Sequence, residues 1–148
     1  MRLPAILNSM RKLVKYAMTE AEAETIRTVT RMQFDHPLVE RMVDIIKLHA
    51  PDAAITPSSY VRVESKADGH DWHCDTGNMG HMKWCAWSGS VLLTKDYVGG
   101  DFEFDDGTKH RHYLDLLMFS SDERHRVLPH GGGDRMALLL FLGRENGL

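Results

Sequence analysis

The stretch Asp71-Trp72-His73-Cys74-Asp75 decides how the chain is read. Read as an extended strand, it places side chains two apart on the same face. His73 and Asp75 then reach inward together while Cys74 points away and packs as a small buried hydrophobe. An imidazole beside a carboxylate offers two adjacent donors to a metal ion. A third donor from another strand completes a two-His, one-carboxylate face that leaves about three positions open on an octahedral ion. His125, in the strand-like run Arg124-His125-Arg126-Val127-Leu128-Pro129, is the best placed candidate. Arg135 follows ten residues on, at the head of the apolar run Met136–Leu142. A guanidinium there suits the carboxylate of a small acid.

The same order carries a resemblance. His73-x-Asp75, then His125, then Arg135 resembles the 2-oxoglutarate/Fe(II) dioxygenases, most closely their prolyl 4-hydroxylase-like branch. The segment Val91–Phe104, with Gly99-Gly100 between two strand-like runs, and Leu117-Met118-Phe119-Ser120-Ser121 before His125 resemble further segments of that branch. The likeness spans roughly residues 58 to 143. It implies Fe(II) held by His73, Asp75 and His125, with 2-oxoglutarate anchored by Arg135 near Ser90, Leu92 and Tyr60. It also implies O2 as second cosubstrate, ascorbate as a reductant, and succinate and CO2 as products. The implied reaction is hydroxylation of an unactivated C–H bond, with a prolyl residue of a peptide or protein favoured.

The pattern around these residues sets the fold class. From Thr56 onward, short strands alternate with turn chemistry: Ser59–Glu64, Asp71–Asp75, Lys83–Leu93, Asp101–Phe104, Leu116–Phe119, His125–Leu128 and Arg135–Leu142. Before them lie helical signals. Residues 1–16 are amphipathic and predict a helix or arm packed on the body. Thr19 caps a helix expected to reach about Phe34. Asp35-His36-Pro37 opens a second, with Val39, Met42, Val43, Ile46 and Leu48 as its apolar stripe and Ala50-Pro51 as its end. Helices first and strands after give an α+β, mainly β layout over 1–148 as one domain, helical in 1–50 and β from about 58 to 143. The resemblance makes the β part a double-stranded β-helix (jelly roll).

Alternation assigns faces. Ala137, Leu139 and Phe141 are in phase with Arg135, and Phe102 and Phe104 face inward. The face Trp84, Ala86, Ser88, Ser90, Leu92 is taken as the inward one. Trp84, Ser88 and His81, with the Met79–Lys83 loop, are the expected substrate residues. His70, His81, His110, His112 and His130 fall in or beside turns and are expected mostly solvated; His70 and Asp71 are the nearest neighbours of the metal group.

Composition bounds the rest. A net charge of −3 gives no general attraction to nucleic acid or membrane. Cys74 and Cys85 form no disulfide framework. No run approaches the ~18 apolar residues of a membrane span. The expectation is a cytoplasmic protein, with oligomeric state open.

Two positions depart from the branch. The neighbourhood of its upstream tyrosine holds Val63 and Glu64, with Tyr60 in a shifted register, and Leu92 stands at a second tyrosine position. Two rivals stand beside peptide hydroxylation. A nucleic-acid or small-molecule oxygenase of the superfamily is one, although Phe141 stands where the demethylase branch has a second arginine. A non-catalytic metal-binding jelly roll is the other, and it needs no Arg135.

Overall fold

A computed structural model of the chain describes residues 10–29, 31–76 and 82–145. In chain order its elements are β1 (Arg11–Val14), α1 (Glu20–Ile26), α2 (Pro37–His49), β2 (Ala53–Ala54), β3 (Tyr60–Glu64), β4 (His70–His73), β5 (Trp87–Leu92), β6 (Val98–Gly99), β7 (Phe102–Phe104), β8 (Lys109–His110), β9 (Leu116–Ser120), β10 (His125–Val127), β11 (His130–Gly131) and β12 (Ala137–Arg144). The strands form a larger sheet, ordered β1-β9-β5-β12 with β2 and β3 both on β12, and a smaller sheet, β4-β10-β7-β8. β6 and β11 pair separately, and every strand pairing is antiparallel. The fold is mainly β with two helices among the described residues. No described helix is long and apolar enough to cross a membrane.

The period of two in the strands separates two faces of the larger sheet. One face presents Val61, Val91, Leu116, Met118, Leu138, Leu140 and Leu142 to the buried stripe Val39, Met42, Val43 and Ile46 of α2. Gly89 lets the helix come close, since a Cβ there would lie 3.1 Å from Ile46 Cδ1. Each fully buried aliphatic side chain in this layer stabilises by about 1.5–3 kcal/mol. The other face turns Tyr60, Arg62, Glu64, Ser88, Ser90, Leu139 and Phe141 toward a cavity of about 440 Å³, whose far wall is the smaller sheet. Phe102, Phe104, Leu117 and Phe119 form a second apolar cluster beside it.

The helical part departs from expectation. Of residues 1–16, those before Met10 lie outside the described residues, and Arg11–Val14 is a strand. The exposed edge of β9 offers unpaired backbone groups, which a short amphipathic segment satisfies by pairing, Arg11 opposite Phe119 and Val14 opposite Leu116. Arg11 fastens it, with Nε donating to Glu123 at 2.6 Å, Nη1 donating to Asp106 at 2.7 Å, and the guanidinium 3.9 Å above the Phe104 ring. α1 has the expected Thr19 cap, closed as a capping box with Glu22, but stops at Ile26 rather than near Phe34. The β-branched run Thr28-Val29-Thr30 is poor helix material. α2 is capped by His36, whose Nδ1 accepts from Leu38 N–H at 3.1 Å, and Pro37 follows at the first helical position. Leu48, counted in its stripe, is exposed; Leu38 is the buried member.

The strand expected over Lys83–Leu93 begins only at Trp87. Residues 82–84 form a turn, Met82 taking a left-handed φ of 53° and Cys85 N–H donating to Met82 O. Trp84 is therefore off the sheet.

Candidate active site

The cavity has two ends of different chemistry. The first is built where β4 meets β10. His125 lies opposite His73 and Val127 opposite His70, so β4 carries one extra residue and bulges. The bulge brings both His70 and His73 to the cavity wall and leaves Asp71 exposed. The strand ends at His73 rather than at Asp75. Asp75 reaches the same place because the chain beyond His73 is hooked to β9's end, with Asp75 and Thr76 N–H both donating to Ser121 O, at 3.0 and 3.2 Å.

The three donor atoms converge. Asp75 Oδ1 lies 3.3 Å from His73 Nε2 and 3.5 Å from His125 Nε2, and one ligand atom from each residue lies within 4.8 Å of the others. The tautomers follow from the other ring nitrogens. His73 Nδ1 is 2.7 Å from Asp71 O and His125 Nδ1 is 2.9 Å from Glu123 O. A carbonyl oxygen only accepts, so each Nδ1 carries hydrogen and each Nε2 lone pair faces Asp75 when the rings are neutral. Each histidine uses the carbonyl two residues upstream. His125 is further fixed by Phe102, stacked at 4.9 Å and 9°, and by Phe119 at 4.9 Å.

Two lone pairs and a carboxylate facing each other need a cation between them. With a proton on Nε2 of each ring in place of a metal ion, burial still pushes the Asp75 carboxyl up, but the hydrogen bonds that His125 and His73 then donate outweigh it and hold the group well below the usual range. His73 is raised in turn, chiefly by its bond to Asp75. A hydrogen bond from Ser88 also favours the Asp75 anion, and Ser88 Oγ leads on to Ser121 Oγ at 3.2 Å and from there to Cys85 Sγ at 3.0 Å. Burial pushes the Cys85 thiol up to about 11, so it stays protonated.

The second end is Arg135, which precedes β12 rather than opening it. It is 6% exposed, yet forms no ion pair among the described residues. Its Nε donates to Gly100 O at 2.8 Å, and its backbone N–H donates to His130 Nε2 at 3.2 Å. Gly100, at φ +74°, must lack a Cβ here, because one would sit 2.9 Å from Arg135 Cδ. Burial pulls the guanidinium pKa down, but from so high a value that it remains charged.

The other expected residues divide. Ser90 lines the cavity opposite Leu139 and bonds His112 Nε2 at 2.8 Å. Leu92 backs the wall, packed with Tyr97 and Ala137. Tyr60 lines the cavity, but opposite Phe141, whereas Glu64 stands opposite Ala137 nearest Arg135. Four residues of strand, roughly 13 Å, therefore separate Tyr60 from that end. Ser88 lines the cavity opposite Phe141, near Asp75. Trp84 stays off the cavity wall and meets Tyr60 edge-on at 6.1 Å. His81 and most of the Met79–Lys83 loop lie outside the described residues. Cys74 does not turn away as a buried hydrophobe: it borders the cavity, half-buried, its thiol donating to Asp122 O at 3.4 Å. His70 pairs with Glu64 at 2.8 Å, and Asp71 contributes through its backbone carbonyl. His112, expected in solvent, is 2% exposed. Neither the Ser121 hook nor the two upstream carbonyls leaves a signal in residue types, since backbone atoms do that work.

No family model matches the chain, and no curated protein matches it in sequence. Solved structures do match in shape. A viral collagen prolyl hydroxylase from Paramecium bursaria Chlorella virus-1, in a 2-oxoglutarate complex, superposes with a TM-score of 0.71 at 12% identity, over 91% of this chain and 96% of that one. A Pseudomonas putida prolyl-4-hydroxylase gives 0.66 at 13% identity, over 95% and 96%. A 2OG-Fe(II) oxygenase family protein from Burkholderia pseudomallei gives 0.63 at 15% identity, over 95% and 86%. The chain has the fold of the prolyl hydroxylases and their 2OG-Fe(II) oxygenase relatives.

Proposed function

We propose that this chain is a 2-oxoglutarate- and Fe(II)-dependent dioxygenase that hydroxylates a prolyl residue in a peptide or protein. The observation that carries the proposal is the pairing of two opposite deficits in one cavity. His73, Asp75 and His125 need a cation, and the buried guanidinium of Arg135 needs an anion. Two imidazole nitrogens and one carboxylate oxygen are the donor set suited to Fe(II) with open positions. Bound there with 2-oxoglutarate and O2, the iron supplies oxidative decarboxylation to succinate and CO2 and transfer of the second oxygen atom to a C–H bond. The larger sheet and the smaller one then form the two walls of a double-stranded β-helix.

The residues around the metal group orient and exclude. Asp71 O and Glu123 O hold the two rings by Nδ1, and Ser88 holds the Asp75 carboxylate. Arg135 binds the distal carboxylate of 2-oxoglutarate through its Nη groups, with Nε held by Gly100 O and Tyr97 close beside the guanidinium. Phe102, Phe104 and Phe119 keep water from the back of His125. On the cavity wall Tyr60 stacks on Phe141 at 4.8 Å, an aromatic surface suited to a pyrrolidine ring. Proline's fixed φ limits what must be ordered on binding. The resemblance to prolyl hydroxylases in shape points the same way. Ascorbate is the reductant assigned for iron oxidised in idle turnover. The two free cysteines suit the cytoplasm.

The test is aerobic turnover with Fe(II), 2-oxoglutarate and a panel of proline peptides, methylated nucleic acids and free amino acids. Succinate release stimulated by proline peptides, with one oxygen atom added at proline by mass spectrometry, is expected. Succinate coupled only to another substrate class overturns the prolyl assignment, and no metal-dependent succinate with any substrate overturns the oxygenase.

A further inference from the structure

His112 is the most deeply buried histidine outside the metal group, and its place is set by the backbone. Its carbonyl accepts from Leu92 N–H at 3.2 Å and from Asp115 N–H at 3.2 Å, and Leu114 N–H donates to Leu92 O at 3.0 Å. The segment 112–114 is thereby strapped along the end of β5. Strand alternation places Ser90 on the same face as Leu92, and the His112 ring reaches back to Ser90 Oγ at 2.8 Å. The ring stands edge-on to Phe102, at 5.7 Å and 87°. Its Nδ1 is buried with no hydrogen-bond partner among the described residues. Burial, with the Arg135 charge adding to it, keeps the ring neutral.

A neutral imidazole has one donor and one acceptor nitrogen. In the tautomer with hydrogen on Nε2, the His112 Nδ1 is a bare acceptor. Ser90 Oγ then receives a bond from His112 and keeps its own hydrogen to give. Ser90 lines the same cavity as Arg135 and pairs with Leu139, while Leu92, next on its face, pairs with Ala137 two residues from Arg135. Without His112, the Ser90 hydroxyl would be free to rotate.

We infer that His112 is a positioning residue: it holds Ser90 with its hydroxyl hydrogen aimed into the cavity, so that Ser90 and Arg135 together bind one carboxylate of the cosubstrate. This rests on the oxygenase assignment above. It also accounts for how a pocket with Glu64 on the nearest part of β3 and Leu92 behind it holds an anion. A histidine outside the cavity wall fixes a small donor on it.

The experiment is anaerobic calorimetric titration of 2-oxoglutarate into Mn(II)-loaded protein, with Mn(II) affinity and thermal unfolding measured alongside. Ser90→Ala and His112→Phe are each expected to weaken 2-oxoglutarate binding about tenfold, the loss of one hydrogen bond to a charged group. Mn(II) affinity should be unchanged. The double variant should bind no worse than Ser90→Ala alone, because His112 acts through Ser90. His112→Gln, whose amide nitrogen can replace Nε2–H, should restore most of the affinity, and a merely structural role for the ring would not show that rescue. Ser90→Thr should likewise bind as the parent does, which keeps the test open if His112→Phe fails to fold. Wild-type affinity in Ser90→Ala or in folded His112→Phe, while Arg135→Ala loses binding, overturns the role of His112 and leaves the oxygenase assignment standing. Wild-type affinity in Arg135→Ala overturns that assignment itself.

Discussion

The two ends of the cavity are unsatisfied in opposite senses. At one end two ring lone pairs lie 3.3 and 3.5 Å from an anionic carboxylate oxygen. At the other a guanidinium, 6% exposed, has no acid to pair with among the described residues. A buried charge without a partner costs several kcal/mol. A fold that carries two of opposite need in one cavity is arranged for a ligand pair that answers both. A divalent cation at the first end and a dicarboxylate spanning to the second do so; neither alone does. The difference also shows in what holds each end. The metal end is held by backbone carbonyls, a bulge and stacked phenylalanines, whereas the anion end relies on side-chain bonds to Gly100 O, Ser90 and His112.

The comparison breaks most visibly at the metal end. Asp75→Ala removes the only charged donor, so Mn(II) or Fe(II) affinity should fall by well over the roughly 10- to 100-fold that follows from changing a ligand's hydrogen-bond partner. Iron-dependent succinate should drop to the level of protein-free buffer, while circular dichroism stays that of the parent. Turnover by Asp75→Ala at the parent rate contradicts the ligand assignment.

The anion end should respond with less loss and more selectivity. Arg135→Ala is expected to weaken 2-oxoglutarate by about 2–5 kcal/mol, roughly 30- to 4,000-fold. Lysine at the same position should recover part of this as a point charge without the fork. A 2-oxo acid lacking the distal carboxylate should bind parent and Arg135→Ala alike. If both acids lose affinity equally, Arg135 supports the cavity generally rather than one carboxylate.

The same contrast explains what was legible in the sequence. The H-x-D spacing, a distal histidine in a strand-like run and an arginine opening an apolar run are side-chain signals, and the structure brings all four residues to one cavity. The alternation of β5 and β12 is readable for the same reason: one face packs on α2 and the other on the cavity or its flanking cluster. What failed depends on backbone context. The β4 bulge shifts its register, and the turn at 82–84 takes Trp84 off the sheet. The vacant edge of β9 turns an amphipathic arm into a strand. His112 was misplaced because it sits beside turn residues in sequence, and only the strap to Leu92 carries it inside. Tyr60, tied to the cosubstrate on resemblance, lines the cavity, and the β3–β12 register sets it opposite Phe141.

The bridging of the two ends has a direct thermodynamic signature. A ligand that touches both the metal and Arg135 must bind more tightly when the metal is present, and the metal must gain the same factor from the ligand. Anaerobic titration of 2-oxoglutarate into the protein with and without Fe(II), and of Fe(II) with and without 2-oxoglutarate, measures both halves of that cycle. The expected result is at least about a tenfold gain, equal in the two directions. Equal 2-oxoglutarate affinity with and without Fe(II) would contradict it.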